Sequence, residues 1–110
     1  MKIITDYIDG WLSILPSRER RRIRAILAYL EGQRSWRNIP YIKKLKDCDD
    51  IYEIIITINN IQYRPLGCYG PEKNEFTLLV GASKKGRVWS PKDAISTAMK
   101  MAKLIHQRQD

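Results

Sequence analysis

The run from Ile51 to Ile58 constrains the fold more than any other stretch of this chain. Five of its eight residues are isoleucine and one is threonine, side chains that are stiff at χ1 and pack well on a pleated surface. Asn59-Asn60 follows, a pair that tolerates the positive φ angles of a two-residue turn, and Ile61 to Cys68 returns. The spacing predicts a β-hairpin in which Ile58 pairs with Ile61, Ile56 with Tyr63 and Ile55 with Arg64. Alternation then puts Glu53, Thr57, Gln62 and Arg64 on one face and leaves the opposite face apolar.

The flanking segments supply helices. Asp9 to Leu15 reads as a short helix stopped by Pro16, and Ser17 is placed to cap a longer one ending near Glu31 and Gly32. In that second helix Ile23, Ile26, Leu27 and Leu30 fall at i, i+3, i+4 and i+7, which makes a buried stripe. Gln33 to Asp50, with Pro40, three lysines and an acidic cluster, reads as a connection holding at most a short turn of helix. After a loop from Gly70 to Asn74, Phe76 to Ala82 is expected as a third strand. Ser90-Pro91-Lys92-Asp93 should open the last helix, with serine as N-cap and proline at the first turn, and the helix should reach about Ile105. These elements make one α+β domain over residues 1–110: an antiparallel sheet packed by helices on one face, the other left for function.

Charge narrows the partners. Twenty Lys and Arg against twelve Asp and Glu give a net charge of +8, a field that draws polyanions such as nucleic acid or an acidic protein. No run approaches the roughly 18 apolar residues that span a bilayer, and Lys2, Ile3, Ile4 and Asp6 do not read as a signal peptide, so a cytoplasmic location without membrane association is expected. Cys48 and Cys68 read as free thiols; no CxxC or His/Cys cluster suggests a metal, and the glycine-containing stretches match no nucleotide fingerprint. Neither metal nor small-molecule cofactor is expected. His106, the single histidine, reads as a surface residue at a helix C-terminus, which disfavours a Ser-His-Asp mechanism.

Four groups of basic residues are candidates for polyanion contact. Arg18, Arg20, Arg21, Arg22 and Arg24 crowd the second helix, with Arg18 and Arg22 on one flank of its apolar stripe. Lys43, Lys44 and Lys46 lie near Tyr41, while Lys84, Lys85 and Arg87 lie with Trp89 in an expected loop before the last helix; cations interleaved with aromatics suit phosphate contacts plus base stacking. Arg64, on the open hairpin face, either holds a phosphate bidentately or pairs with Glu53 diagonally across the hairpin.

The segment Ile51-Tyr52-Glu53-Ile54, then Tyr63-Arg64, Thr77-Leu78-Leu79-Val80-Gly81, Lys84-Lys85, Pro91 and a helix with Ala94 and Ala98, resembles the phage-derived branch of the RelE/HigB toxin superfamily. Trp11-Leu12, Leu15-Pro16, Arg22, Leu30-Glu31 and Lys43-Lys44-Leu45 fit the same pattern. The resemblance implies a RelE-like fold with two N-terminal helices, a curved antiparallel sheet of three to four strands and a C-terminal helix. It implies the toxin of a type II toxin–antitoxin system, a metal-independent endoribonuclease that cuts mRNA on the ribosome and is held by a cognate antitoxin with a helix-turn-helix domain. Carried over by motif, Arg64 and the basic position at Lys84 or Lys85 are the catalytic candidates, and Lys43, Lys44 and Lys46 would grip RNA; Arg87, Arg18 and Arg22 join the RNA-binding candidates from their place in the basic clusters. Glu53 and Ile55 stand where relatives carry basic residues, which motivates a second reading: a non-enzymatic phage or prophage protein that binds RNA or an acidic partner.

Overall fold

A computed structural model describes residues 1–48 and 50–107. The hairpin forms as its composition dictates: β4 (Ile56–Ile58) pairs antiparallel with β5 (Ile61–Tyr63), Ile58 opposite Ile61 and Ile56 opposite Tyr63. Asn59 (φ 51°) and Asn60 (φ 67°) both adopt the left-handed conformation, the geometry of a tight turn that matches the twist of the flanking strands.

The expected pairing of Ile55 with Arg64 is not made, because the strands bend there. Each of three long strands is broken once, and the breaks lie side by side. Ile55 separates β3 (Tyr52–Ile54) from β4, Arg64-Pro65 separates β5 from β6 (Leu66–Tyr69), and Gly81-Ala82 separates β7 (Glu75–Val80) from β8 (Ser83–Lys85). Pro65 has no N–H to give to a ladder. Hydrogen bonds turn the corner instead: Arg64 N donates to the Ala82 carbonyl (2.7 Å), Ile54 N to Pro65 O (3.1 Å) and Ile55 N to Tyr41 O (2.8 Å). The result is a five-stranded part, ordered β1-β7-β6-β3-β2, bent into a four-stranded part, ordered β4-β5-β8-β9.

Gly81 makes the bend possible. The Trp11 indole packs where its Cβ would be, so any side chain there would overlap the ring. Trp11 lies on α1 (Asp9–Ile14), whose Leu12 is fully buried, so the bend and the first helix are fitted to one another.

Two edge strands correct the sequence reading. The chain begins with β1 (Lys2–Ile4), which runs parallel to β7 with Ile3 opposite Phe76, so the sheet is mixed and two N-terminal helices are preceded by a strand. The connection expected to hold a helical turn contains β2 (Ile42–Lys44), antiparallel to β3. Both are three-residue segments: β1 finds its partner 73 positions away, and β2 has a single apolar residue before two lysines, so local pattern carries little signal for either.

Helix ends shift by small amounts. α2 (Ser17–Glu31) is capped by Pro16, whose carbonyl accepts from Arg20 N (3.0 Å), so Ser17 is the first helical residue and not the cap. At the C-terminal end Ser90 belongs to β9 (Val88–Ser90), and α3 (Ala94–Gln107) starts after a turn closed by Ala94 N to Pro91 O (3.1 Å). The Lys84, Lys85 and Trp89 segment is therefore not a loop but a hairpin, β8 on β9.

The expectation of helices on one face only is also corrected. Strand alternation feeds two cores. Ile54, Ile56, Ile58, Tyr63, Phe76 and Leu78 meet Leu12 of α1 and Ile23, Leu27 and Leu30 of α2. Ile51, Leu66, Cys68 and Leu79 point the other way, onto Ala94, Ala98, Ala102 and Ile105 of α3. The alanine stripe at i, i+4 and i+8 lets α3 lie close on that face. Among the described residues, no helix packs on the outer face of the four-stranded part beyond the bend, which carries Thr57, Gln62 and Lys84.

Candidate functional site

Register assembles the open face. Trp89 on β9 pairs with Lys84 on β8, Lys84 with Gln62 on β5, and Gln62 with Thr57 on β4. These four side chains form one cross-strand row, roughly 14 Å long at the usual strand spacing. The Lys84 ammonium sits 5.2 Å from the Trp89 ring centroid, a cation–π contact that holds it over the aromatic. Beyond Thr57 the sheet ends at the β4 edge, where Arg18, Arg21 and Arg22 of α2 line a groove of about 490 Å³ with Thr57, Ile58 and Asn59.

Arg64 stands at the bend, on the same face by alternation and joined to the row through Gln62. Its Nη2 donates to Gln62 Oε1, and its Nη1 lies 3.3 Å from both carboxylate oxygens of Glu53. The diagonal pair foreseen from the hairpin register is thus formed, and among the described residues it is the one ion pair. Glu53 is itself buried. Arg64 Nε is buried without a hydrogen-bond partner among the described residues, so the guanidinium is held by its outer nitrogens alone. Lys43 lies opposite Glu53 on β2 and extends the face with an exposed cation.

Not every sequence candidate joins this face. Lys85 pairs with Val88 and so alternates to the opposite side from Lys84. Lys44, opposite Tyr52, alternates away from Lys43. Arg87 lies at the tip of the β8–β9 hairpin and Lys46 in the turn after β2, both exposed. Arg18 and Arg22 border the face at its β4 margin. Tyr63, next to Arg64 in sequence, faces the other core, with its ring 6.3 Å from Trp11. Burial, and to a lesser degree Glu19, raises its phenol pKa. His106 is in the last turn of α3, 3.3 Å from the Tyr69 carbonyl and remote in the fold from the row.

Chemically, the face combines a carboxylate, a guanidinium, an ammonium and an aromatic ring within one bent surface. Glu53 was legible only as a counter-charge, because its position at a bend beside Arg64 depends on where three strands break together. The link from Lys84 to Gln62 needs the β5–β8 pairing, which joins residues 22 positions apart.

A family model described as phage derived protein Gp49-like (DUF891) matches residues 10–103, from α1 to near the end of α3. The chain belongs to this Gp49-like family. The match begins after β1, so the parallel strand is outside the part that the Gp49-like pattern covers. No curated protein and no solved structure gives a significant match. Within the Gp49-like chain no helix of the described residues is long and apolar enough to cross a membrane.

Proposed function

We propose that this Gp49-like protein is the toxin of a type II toxin–antitoxin pair, of the RelE/HigB kind, and that it cuts mRNA on the ribosome at the bent face around Arg64. The single observation that carries the reading is the Glu53–Arg64 couple at the bend, joined through Gln62 to the basic row that holds Lys84. RNA cleavage without a metal needs three things at one phosphate: a base for the 2′-hydroxyl, a cation for the charge that builds on the phosphoryl oxygens, and an acid for the leaving oxygen. In this reading the 2′-oxygen attacks phosphorus while its proton passes to the Glu53 carboxylate. Arg64 balances the growing negative charge. The bond to the 5′-oxygen breaks as that oxygen takes a proton from the Lys84 ammonium, leaving a 2′,3′-cyclic phosphate and a 5′-hydroxyl. Lys85, the other catalytic candidate, serves as a backbone contact from the far side of its strand, in company with Arg87, Lys44 and Lys46. Lys43 and the Arg18 and Arg22 margin guide the strand onto the face, and the antitoxin, through an acidic segment, competes for the same cations.

Induction of the wild type and of Arg64→Ala in a bacterial host, followed by mapping of mRNA 5′ ends, tests the proposal. New 5′-hydroxyl ends inside reading frames, found with the wild type alone, are expected; their absence with folded protein in the cell would sink it.

One observation favours a second reading. The outer nitrogens of Arg64 are already engaged by Glu53 and Gln62, so a phosphate must compete with protein groups for them. A binder that retained the basic face without cleavage would show salt-sensitive RNA affinity and no cut product on translating ribosomes.

A further inference from the structure

A second polar and aromatic pocket lies on the opposite side of the sheet from Arg64. It is about 510 Å³ in volume, and Arg34, Trp36, Arg37, Tyr52 and Tyr69 are among the residues that line it. That volume is within the roughly 300–1,000 Å³ of small-ligand sites. The loop after α2 builds it. Trp36 is 4% exposed, donates from Nε1 to the Leu30 carbonyl (3.0 Å) and packs 4.9 Å from the Phe76 ring. Buried this way, the indole anchors the loop and leaves exposed Arg34 and Arg37 on either side of it. A bond from Arg37 N to Ser35 Oγ (3.2 Å) tightens the turn between them.

Across from these cations, Tyr52 and Tyr69 stand nearly perpendicular, ring centroids 5.0 Å apart at 83°. Two rings at a right angle form a corner, and Tyr69 remains 39% exposed although it touches three other aromatics. Among the described residues neither Arg34 nor Arg37 makes an ion pair. Lys44 stands opposite Tyr52 on β2 and adds a cation at the rim.

We propose that this pocket takes one unpaired nucleotide of single-stranded RNA, with its base against Tyr69 and Tyr52 and its flanking phosphates on Arg34 and Arg37. An aromatic corner flanked by unpaired arginines matches the two halves of a nucleotide, a flat ring and an anionic link. An acidic peptide would use the arginines but leave the exposed tyrosine face without a partner. The choice of RNA rests on the function proposed above; the location does not, because the pocket shares no residue with the Arg64 face.

The test is fluorescence-detected binding of the full chain to a labelled 2′-O-methyl RNA hexamer, which lacks the attacking hydroxyl and cannot be cut. Tyr69→Leu should weaken binding by about five- to a hundredfold, and Tyr69→Phe should retain it. Arg34→Ala with Arg37→Ala should weaken it and flatten the log–log salt slope by about 1.4, two single-strand phosphate contacts. A hexamer of abasic sugar-phosphate should bind about as weakly as Tyr69→Leu binds the intact one. Melting curves establish that each variant is folded; the arginine pair, being exposed, keeps the test valid if Tyr69→Leu does not fold. Unchanged affinity in the arginine variant, an abasic hexamer as tight as the parent, or equal displacement by a poly-glutamate hexamer would overturn the assignment. Cleavage lost in cells with Tyr69-dependent binding intact would instead remove the nuclease reading and leave this one standing.

Discussion

Glu53 and Arg64 form a couple withdrawn from water, with side chains 9% and 16% exposed. Removing one partner of such a pair costs more than the pair contributes, because the other is left with its desolvation uncompensated. Glu53→Ala is therefore expected to lower stability by about 1–3 kcal/mol, read by urea unfolding. Glu53→Gln retains an acceptor for Arg64 Nη1 and should stay closer to wild type, while abolishing cleavage if the carboxylate is the base. A Glu53→Gln protein that still cuts mRNA would remove Glu53 from the chemistry.

The two cysteines differ in the same physical way. Cys68 is buried in the α3-side core, and burial, assisted by Asp50, pushes its thiol up to about 11 from 9.0. The folded state therefore holds this proton more tightly than the unfolded chain does. The stability that follows is fully present below pH 9.0 and is lost as pH rises toward about 11. Cys68→Ala should flatten part of the fall in melting temperature between those values. Tyr41, Tyr63 and Tyr69, whose phenol pKa values burial also raises, act in the same direction at higher pH. At pH 8 an alkylating reagent should modify half-buried Cys48 well before Cys68; equal rates would mean that the α3-side core opens readily.

Among the elements, the bend couples α1 to the site. Gly81 accepts Trp11 where a Cβ would overlap the indole, and Gly81 is the residue before Ala82, whose carbonyl holds Arg64 N. Gly81→Ala should be strongly destabilising, by about 2–4 kcal/mol, with Trp11→Leu restoring part of the loss. A double-mutant cycle measures the coupling. Additive effects would mean that the clash is relieved elsewhere and that the bend does not depend on Trp11. The hairpin, the α2 stripe and the approximate span of α3 were legible because each is written in local chemistry: β-branched runs, paired asparagines, apolar residues at helical spacing. β1 and β2 were not. Each is three residues long and exists through its pairing with β7 or β3.

For the whole molecule, charge is distributed over more than one surface. Lys43, Arg64 and Lys84 share the open face, with Arg18 and Arg22 at its margin, whereas Lys44 and Lys85 alternate to the other side. Adjacent lysines thus serve as a matched control. Lys84→Ala is expected to reduce mRNA cleavage at least tenfold, and Lys85→Ala to change it by about twofold or less, as read from the mapped 5′ ends. Equal losses would mean that the hairpin acts by net charge alone.

By itself the sequence determined the elements whose formation is local, the basic character of the chain, and the face of the hairpin that carries Arg64 and Glu53. Only the tertiary structure decided where three strands break together, that α3 covers the second face, and that Lys84 rather than Lys85 stands with Arg64. Alternation along a strand is a two-residue rule and can be read from the chain. Which strand lies beside which, and where a sheet must bend around an indole, depends on contacts between residues tens of positions apart, and no short window of sequence contains them.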